Sequence, residues 1–227
     1  MDKVAIISDV HGNITALNAV LDDIKRRNIN KIFCLGDSIV KCVHPDLVID
    51  KLREVCDVIL IGNTDYAICR PEARNKKFWS RIKIGEERAN FMLNLPVFHE
   101  FYMSGHFIRL FHASPFSLQH IYNPTFSNKG TVYSGVELAN AGQLFENTEF
   151  LGKTENDKIP DVIGYGHIHT PCLIRYKNKT VFNPGSVGSI PYNIEKEIED
   201  LIASDMPNKD ISIRTLKAAL PTNYDMN

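Results

Sequence analysis

Short apolar runs alternate with segments of helical spacing over the first quarter of the chain. Lys3–Ser8 (KVAIIS) is a continuous apolar run of the length expected for a strand buried on both faces of a parallel or mixed sheet. Over Asn13–Arg27, Ile14, Leu17, Leu21 and Ile24 recur at three- and four-residue steps, the stripe of an amphipathic helix, with Asn13 placed to cap its start. Lys31–Leu35 (KIFCL) predicts a second strand. Pro45 opens a second helix with Leu47, Val48 and Leu52 on its buried side, and Asp57–Ile61 (DVILI) predicts a third strand. Strand, helix, strand, helix, strand at this pitch reads as two consecutive βαβ units.

Downstream, Arg70–Asn94 is polar and basic at its start and then predicts a helix up to the Leu95-Pro96 break. Val97–Tyr102 and Phe107–Phe111 predict two strands joined by a turn at Ser104-Gly105. Pro115–Thr131, rich in Asn, Ser, Pro and Gly, predicts a long loop, and Val136–Phe145 a modest helix. Val162–Tyr165, Leu173–Tyr176 and Thr180–Phe182 predict short strands, the last two separated by a Lys177-Asn178-Lys179 turn. Glu195–Ala203 is amphipathic, with Ile194, Ile198, Leu201 and Ile202 on one side, and predicts a C-terminal helix over 194–203. With no repeat, low-complexity stretch or linker, residues 1–227 are expected to form a single α/β domain.

Composition adds exclusions. The hydrophobic fraction of 44% supplies a sizeable core, and a net charge of −1 gives no footprint for nucleic acid or an anionic membrane. No apolar run is long enough to span a bilayer, and Met1-Asp2-Lys3 leads into the first strand without the layout of a signal peptide. The five cysteines are odd in number and form no Cys-x-x-Cys pair, and Cys34 and Cys56 lie inside apolar runs. Reduced thiols and a cytoplasmic location are expected.

The chemistry sits where the apolar runs stop. VAIIS runs into Asp9-Val10-His11, KIFCLG into Asp37, VILIG into Asn63, FIRLF into His112, and VIGYG into His167-Ile168-His169. Parallel strands bring their C-terminal ends to one sheet edge, so polar groups after these strands converge although distant in sequence. In an extended chain, residues two apart face the same side, which lets Asp9 and His11 reach one ion, and His167 and His169 likewise. Gly36, Gly62 and Gly166 precede three of the ligand positions and permit close backbone approach. Two Asp, one Asn and four His make a mixed oxygen and nitrogen set, suited to Mn²⁺, Fe, Zn²⁺ or Ni²⁺ rather than Mg²⁺ or Ca²⁺. Seven ligands exceed the needs of one catalytic ion and suit two. Two ions about 3.5–4 Å apart can stabilise both the attacking and leaving oxygens of an in-line displacement, and phosphate esters are the natural substrate.

Taken in order, Asp9-x-His11, Gly36-Asp37, Gly62-Asn63-x-Asp65, the strand-end His112 and Gly166-His167-x-His169 resemble the calcineurin-like metallophosphoesterase superfamily. The later Asn183-Pro184-Gly185-Ser186-Val187-Gly188 resembles its small bacterial and archaeal branch of phosphodiesterases and dinucleoside-polyphosphate hydrolases. The resemblance implies a four-layer α/β/β/α sandwich with two mixed sheets. It implies that Asp9, His11 and His169 hold one ion, that Asn63, His112 and His167 hold the other, and that Asp37 bridges. It also implies a hydroxide between the ions as nucleophile, two divalent metals with Mn²⁺ favoured, and a phosphate-ester or nucleotide substrate.

The chain departs from the family pattern at Thr64, where the usual residue is a histidine thought to stabilise or protonate the leaving group; threonine supplies no proton at neutral pH. It is also expected to be shortened after Gly188, since Ile190-Pro191-Tyr192 leads almost directly into the C-terminal helix. A binding scaffold with a phosphoesterase fold, as in the retromer-subunit relatives, is therefore the alternative to an enzyme; Thr64 favours it and the complete ligand set opposes it. A protein Ser/Thr phosphatase is disfavoured because Ser38-Ile39-Val40-Lys41 lacks the arginine of those enzymes and Asp65 stands where they have glutamate. The zinc β-lactamase-like hydrolases are excluded by the absence of a His-x-His-x-Asp-His run. Arg70, Arg74, Lys76 and Lys77 are expected to form a solvated basic face, and Tyr66 and the Phe116–Phe126 loop to pack rather than stack on a base. His44, His99, His106 and His120 fit no ligand spacing.

Overall fold

The computed structural model describes residues 3–73, 78–122, 140–152, 154, 158–189, 199–200 and 202–206, and in it the N-terminal alternation forms a three-stranded parallel sheet. Its strands β1 (Ala5–Ile7), β2 (Ile32–Cys34) and β3 (Val58–Ile59) pair in that order. Each is shorter than its apolar run, but the pairing continues past the strand ends. Leu35 N donates to Ile7 O at 2.9 Å, and Leu60 N to Cys34 O at 2.8 Å. Helix α1 (Ile14–Arg26) is capped as expected, Asn13 Oδ1 accepting from Ala16 N at 3.0 Å. Helix α2 (Pro45–Val55) buries Val48, Ile49 and Leu52. Leu47, expected on that buried side, is 48% exposed, because the three- and four-residue steps pass through 45, 48, 49 and 52. The two helices cover one face of the sheet through Leu17, Ile24, Val48 and Leu52.

The second sheet has the order β4-β5-β6-β8-β7, built from β4 (Phe98–Met103), β5 (His106–Phe111), β6 (Val162–Gly164), β7 (Cys172–Tyr176) and β8 (Lys179–Asn183). β5, β6 and β8 are parallel, and β4 and β7 flank them antiparallel. The β4–β5 turn is the expected Ser104-Gly105, with φ of 51° and 83°, both in the left-handed region that two-residue hairpins use.

Phe33, Leu35 and Leu60 from the first sheet meet Ile108 and Leu110 from the second, forming the core between the sheets. The far face of the second sheet is closed by Tyr122, Leu144 and Phe145 against Phe111, Ile163 and Val181. The layers therefore follow the α/β/β/α order; of the two sheets expected to be mixed, the second is and the first is parallel throughout, because its strands are linked by helical crossovers. Among the described residues, the expected Val136–Phe145 helix is a 3₁₀ turn at Gln143–Phe145; residues 136–139 lie outside them.

Two helices stand beside this frame. α4 (Trp79–Leu93) matches the expected helix, with a break at Gly85 (φ 73°, ψ 178°). α3 (Asn63–Cys69) was not expected, since it begins directly at a candidate ligand and has no apolar stripe of its own. Its Cys69 packs with Ile39, Ile49, Ile84 and Met92. Residues 199–200 and 202–203 are helical, while 194–198 and 201 lie outside the described residues. Ile202, expected on the apolar side of the C-terminal helix, is 59% exposed. This segment is instead joined to the body by polar contacts, His44 Nε2 to Asp200 at 3.4 Å and Trp79 Nε1 donating to Asp205 at 2.9 Å.

Arg109 is the largest fully buried side chain and lies inside the apolar run of β5. Its Nε donates to Glu100 at 2.6 Å, and its Nη atoms donate to Asn147 Oδ1 at 2.6 Å and Glu146 O at 3.1 Å. This network fastens residues 146–147 to the second sheet.

Candidate metal centre

All seven candidate ligands emerge at the C-terminal ends of β1, β2, β3, β5 and β6, and main-chain hydrogen bonds between the loops fix them there. Asp9 N donates to Gly36 O, and His11 N to Asp37 O, both at 2.9 Å; Gly166 N donates to His112 O at 2.8 Å. Val187 N and Gly188 N donate to Ser8 O and Asp9 O, both at 3.0 Å, so the Asn183–Gly188 stretch braces the first loop. Gly62 and Gly166 leave room for this approach. A Cβ at Gly62 would collide with the Asp37 carboxylate, and one at Gly166 with the Ser8 hydroxyl and the Asp9 carboxylate.

The side chains collect into two adjacent groups. In the first, His169 Nε2 lies 3.0 Å from His11 Nε2 and 3.1 Å from Asp9 Oδ1. In the second, Asn63 Oδ1 lies 3.0 Å from both His112 Nε2 and His167 Nδ1. Asp37 stands between them. Its Oδ2 is 4.0 Å from His11 Nε2, and its Oδ1 is 3.5 Å from His112 Nε2. His167 and His169, two apart in sequence, thus turn to different groups. The same-side expectation holds for Asp9 and His11 and fails for His167 and His169; none of these four, nor Asp37, is extended, φ lying between 53° and 66°. A non-glycine residue there costs on the order of 1–3 kcal/mol, and such strain is concentrated at functional sites.

The hydrogen bonds on the far sides of the rings set the tautomers. His112 Nδ1 donates to Leu35 O at 2.9 Å, which leaves Nε2 as a bare acceptor facing another acceptor, Asn63 Oδ1. His11 Nδ1 faces Ile39 O at 3.3 Å, which leaves its Nε2 pointing at His169 Nε2. Asp9 Oδ2 accepts from Ser8 Oγ at 2.5 Å and His167 N at 3.0 Å, whereas the buried Oδ1 has no well-aligned hydrogen bond, its polar neighbour being His169 Nε2 at 3.1 Å. Acceptors facing acceptors, and a buried carboxylate oxygen left over, are the arrangement that a bound cation resolves. The residues present therefore fit a pair of divalent ions.

Burial raises the Asp9 carboxyl, but the proximity of His169, the His112 charge and the Ser8 hydroxyl outweigh it and hold the group down at about 2. Burial and then the Lys41 charge push His11 down to about 4, against Asp37 and Asp9. Burial and the His112 charge push His167 down to about 4. Neutral imidazole is the form that a metal takes.

Several neighbours have contacts that the sequence alone did not assign. Asp65, fully buried, accepts from Ser38 N at 2.9 Å, Ile39 N at 3.2 Å and Gly62 N at 3.1 Å, so it ties the Asp37 loop to the Asn63 loop. Its position as the third residue of α3, three after Gly62, was the available signal. Ser189 Oγ lies 2.7 Å from His169 Nδ1 and orients that ring, and Ser186 Oγ donates to Asp9 O at 2.7 Å. Lys41 Nζ stands 3.4 Å from the same His169 nitrogen, at the rim. Thr64 N donates to Asp37 Oδ1 at 3.0 Å, while its buried Oγ1 has no partner. Tyr66, expected to pack, is 47% exposed, and Arg70, expected to be solvated, has a buried Nε. Arg74, Lys76, Lys77 and Phe126 lie outside the described residues. His44, His99, His106 and His120 belong to neither group.

The calcineurin-like phosphoesterase superfamily domain matches residues 2–196. The uncharacterised protein MJ0912 of Methanocaldococcus jannaschii is 36% identical over 120 residues; the match covers 49% of this chain and 49% of that protein, so the chain spans about half the length of its curated relative. A metallophosphoesterase from Sphaerobacter thermophilus has a similar fold, with a TM-score of 0.67 at 19% identity over 96% of this chain and 99% of that one. So does hypothetical protein PH1004 from Pyrococcus horikoshii OT3, with a TM-score of 0.63 at 18% identity over 83% of this chain and 78% of that one. The chain belongs to the calcineurin-like phosphoesterase superfamily.

Proposed function

We propose that the protein hydrolyses phosphodiester or phosphoanhydride bonds with a pair of divalent ions, Mn²⁺ by preference. Asp9, His11 and His169 would hold one ion and Asn63, His112 and His167 the other, with Asp37 shared. The carrying observation is that the two carboxylate oxygens of Asp37 face different groups, each otherwise complete with imidazole nitrogens. When bound, the ions neutralise phosphate oxygens and acidify water.

The chain's own residues supply orientation. The Leu35 carbonyl keeps the His112 proton on Nδ1, Ser189 fixes the His169 ring, and Ser8 with the His167 amide holds Asp9. Lys41 adds a cation at the rim. Thr64 gives the departing oxygen no acid, so the reading favours leaving groups of low pKa, as in aryl diesters and phosphoanhydrides. A nucleotide-type small molecule suits these terms. A reducing, cytoplasmic compartment fits the five free thiols.

Thr64 also supports a second reading, a catalytically silent scaffold. Metal analysis after Mn²⁺ loading, together with hydrolysis of bis-(p-nitrophenyl) phosphate, separates the two. About two ions per chain and metal-dependent turnover are expected. A protein that takes up no metal would end the hydrolase reading, and one that loads both ions without turning over any ester would favour the scaffold.

A further inference from the structure

Asn63, Tyr66 and Arg70 follow one another at steps of three and four along α3 and its C-cap, which places them on one face of the helix. That face lines a cavity of about 540 Å³ together with Leu93, Gln119 and Phe150. The volume is in the range of small-molecule sites, about 300–1,000 Å³. Asn63, one of the lining residues, also supplies Oδ1 to the second ligand group, so the cavity adjoins that group. Its walls are mostly apolar, Tyr66 is 47% exposed, and Arg70 brings a guanidinium to the same lining. An exposed ring beside apolar walls suits a flat aromatic group. A guanidinium in the lining calls for an acceptor on that group.

We infer that this cavity is a substrate subsite beside the phosphate position and that it takes a heteroaromatic ring rich in acceptor atoms, of the nucleobase class, stacked on Tyr66 and hydrogen-bonded by Arg70. The inference rests on the proposed hydrolase reading, because the metal centre anchors the phosphate to which the ring is attached. Tyr66 and Arg70 touch the substrate but not the ions, and so set specificity rather than metal loading.

Calorimetric titration of the Mn²⁺-loaded protein with inorganic phosphate, ribose 5-phosphate, phenyl phosphate and AMP tests it. Phosphate binding that appears only after Mn²⁺ loading reports on the metal centre alone. AMP is expected to bind about tenfold more tightly than ribose 5-phosphate, the margin that one stacked base supplies. Tyr66→Ala should erase that margin and leave phosphate binding and the Mn²⁺ content unchanged, while Tyr66→Phe should keep it. Arg70→Gln should weaken AMP and leave phenyl phosphate as it was. Equal affinity for AMP and ribose 5-phosphate in the unmutated protein, or an AMP preference that survives Tyr66→Ala, would overturn the subsite while leaving the hydrolase reading intact. Absence of Mn²⁺-dependent phosphate binding would instead overturn the hydrolase reading and the subsite with it.

Discussion

The Oδ1 oxygen of Asp65 accepts the backbone N–H of Ser38 at 2.9 Å, joining the loop after β3 to the loop after β2. Those loops carry Asn63 and Asp37, one from the second ligand group and one shared between both. Asp65→Ala would leave three backbone N–H groups without an acceptor, two of them on the Asp37 loop. Loss of a support behind metal ligands typically costs about 10–100-fold in metal affinity. Asp65→Ala is expected to weaken Mn²⁺ binding by that factor and to lower stability by about 1–3 kcal/mol for each stranded buried donor that finds no water. Asp65→Asn, which keeps one acceptor oxygen, should lose less on both counts. Mn²⁺ titration and urea unfolding of the two variants check this, and wild-type metal affinity in Asp65→Ala would contradict it.

Asp37 is expected to matter more for chemistry than for folding. Asp37→Asn keeps the Oδ1 that accepts Thr64 N, but removes the charge and the second anionic oxygen. Hydrolysis of bis-(p-nitrophenyl) phosphate should fall by at least about a hundredfold, and the Mn²⁺ content should drop toward one ion per chain. Undiminished turnover would show that the carboxylate is not shared between two ions.

The convergence of the candidate ligands was legible in the sequence because each closes an apolar run, and parallel strands bring such ends together. Partnership within the cluster was less so. Spacing alone puts His167 and His169 on one ion, but their left-handed backbone swings His169 to Asp9 and His167 to Asn63. Helix α3 left no apolar stripe to read, since it is held by Asp65 and Cys69 rather than by a buried face. Arg109 was hidden for the opposite reason. It sits in the run FIRLF, whose apolar neighbours read as an ordinary strand, and its partners Glu100, Glu146 and Asn147 are remote in sequence.

That network supplies a stability prediction. Arg109→Met removes the cation that lies 2.6 Å from Glu100, a carboxylate only 7% exposed at its side chain. Breaking one side of a buried pair costs about 3–5 kcal/mol. A loss of that size in urea unfolding is expected, with catalytic constants unchanged per folded molecule because Arg109 faces away from the metal centre, toward residues 146–147. A double variant, Arg109→Met with Glu100→Leu, should recover much of the loss. Failure to recover would locate the contribution in the Asn147 and Glu146 contacts instead.

Acid should destabilise the metal-free protein. His11 and His167 are pushed down to about 4 from their usual 6.5, so between those values the unfolded chain holds two protons that the folded one does not. Stability from these groups is present above 6.5 and is lost as pH falls toward 4. Asp65 works in the other direction, since burial and the Asp37 charge raise it to about 7 from 3.8 and the folded state then keeps one proton. For these three groups the balance is about one proton taken up on unfolding, or roughly 1.4 kcal/mol of stability lost per pH unit through that window, and His99, lowered by burial, acts in the same direction as the two imidazoles. Urea unfolding in EDTA at pH 7.0 and 5.5 measures it, and a stability that is flat or rises with acid would be incompatible with neutral imidazoles in the cluster.

Thr64 offers the sharpest test of how the leaving group is handled. Its backbone N–H already serves Asp37 Oδ1, while its Oγ1 is buried, unpartnered and unable to protonate a departing alkoxide at neutral pH. An imidazole at this position would replace the hydroxyl with a group able to carry a proton near neutral pH. Thr64→His is therefore expected to accelerate hydrolysis of diesters with alkyl leaving groups by about 10²-fold, the lower range for a positioned general acid, and to leave p-nitrophenyl esters nearly unchanged because their leaving group departs without a proton. The gain should also bring a new acidic-side requirement to the rate profile of the alkyl substrates, with activity declining as the added imidazole loses its proton. Equal effects on alkyl and aryl esters would mean that the substitution acts on metal geometry through Asp37, and no effect on either would separate position 64 from the chemistry.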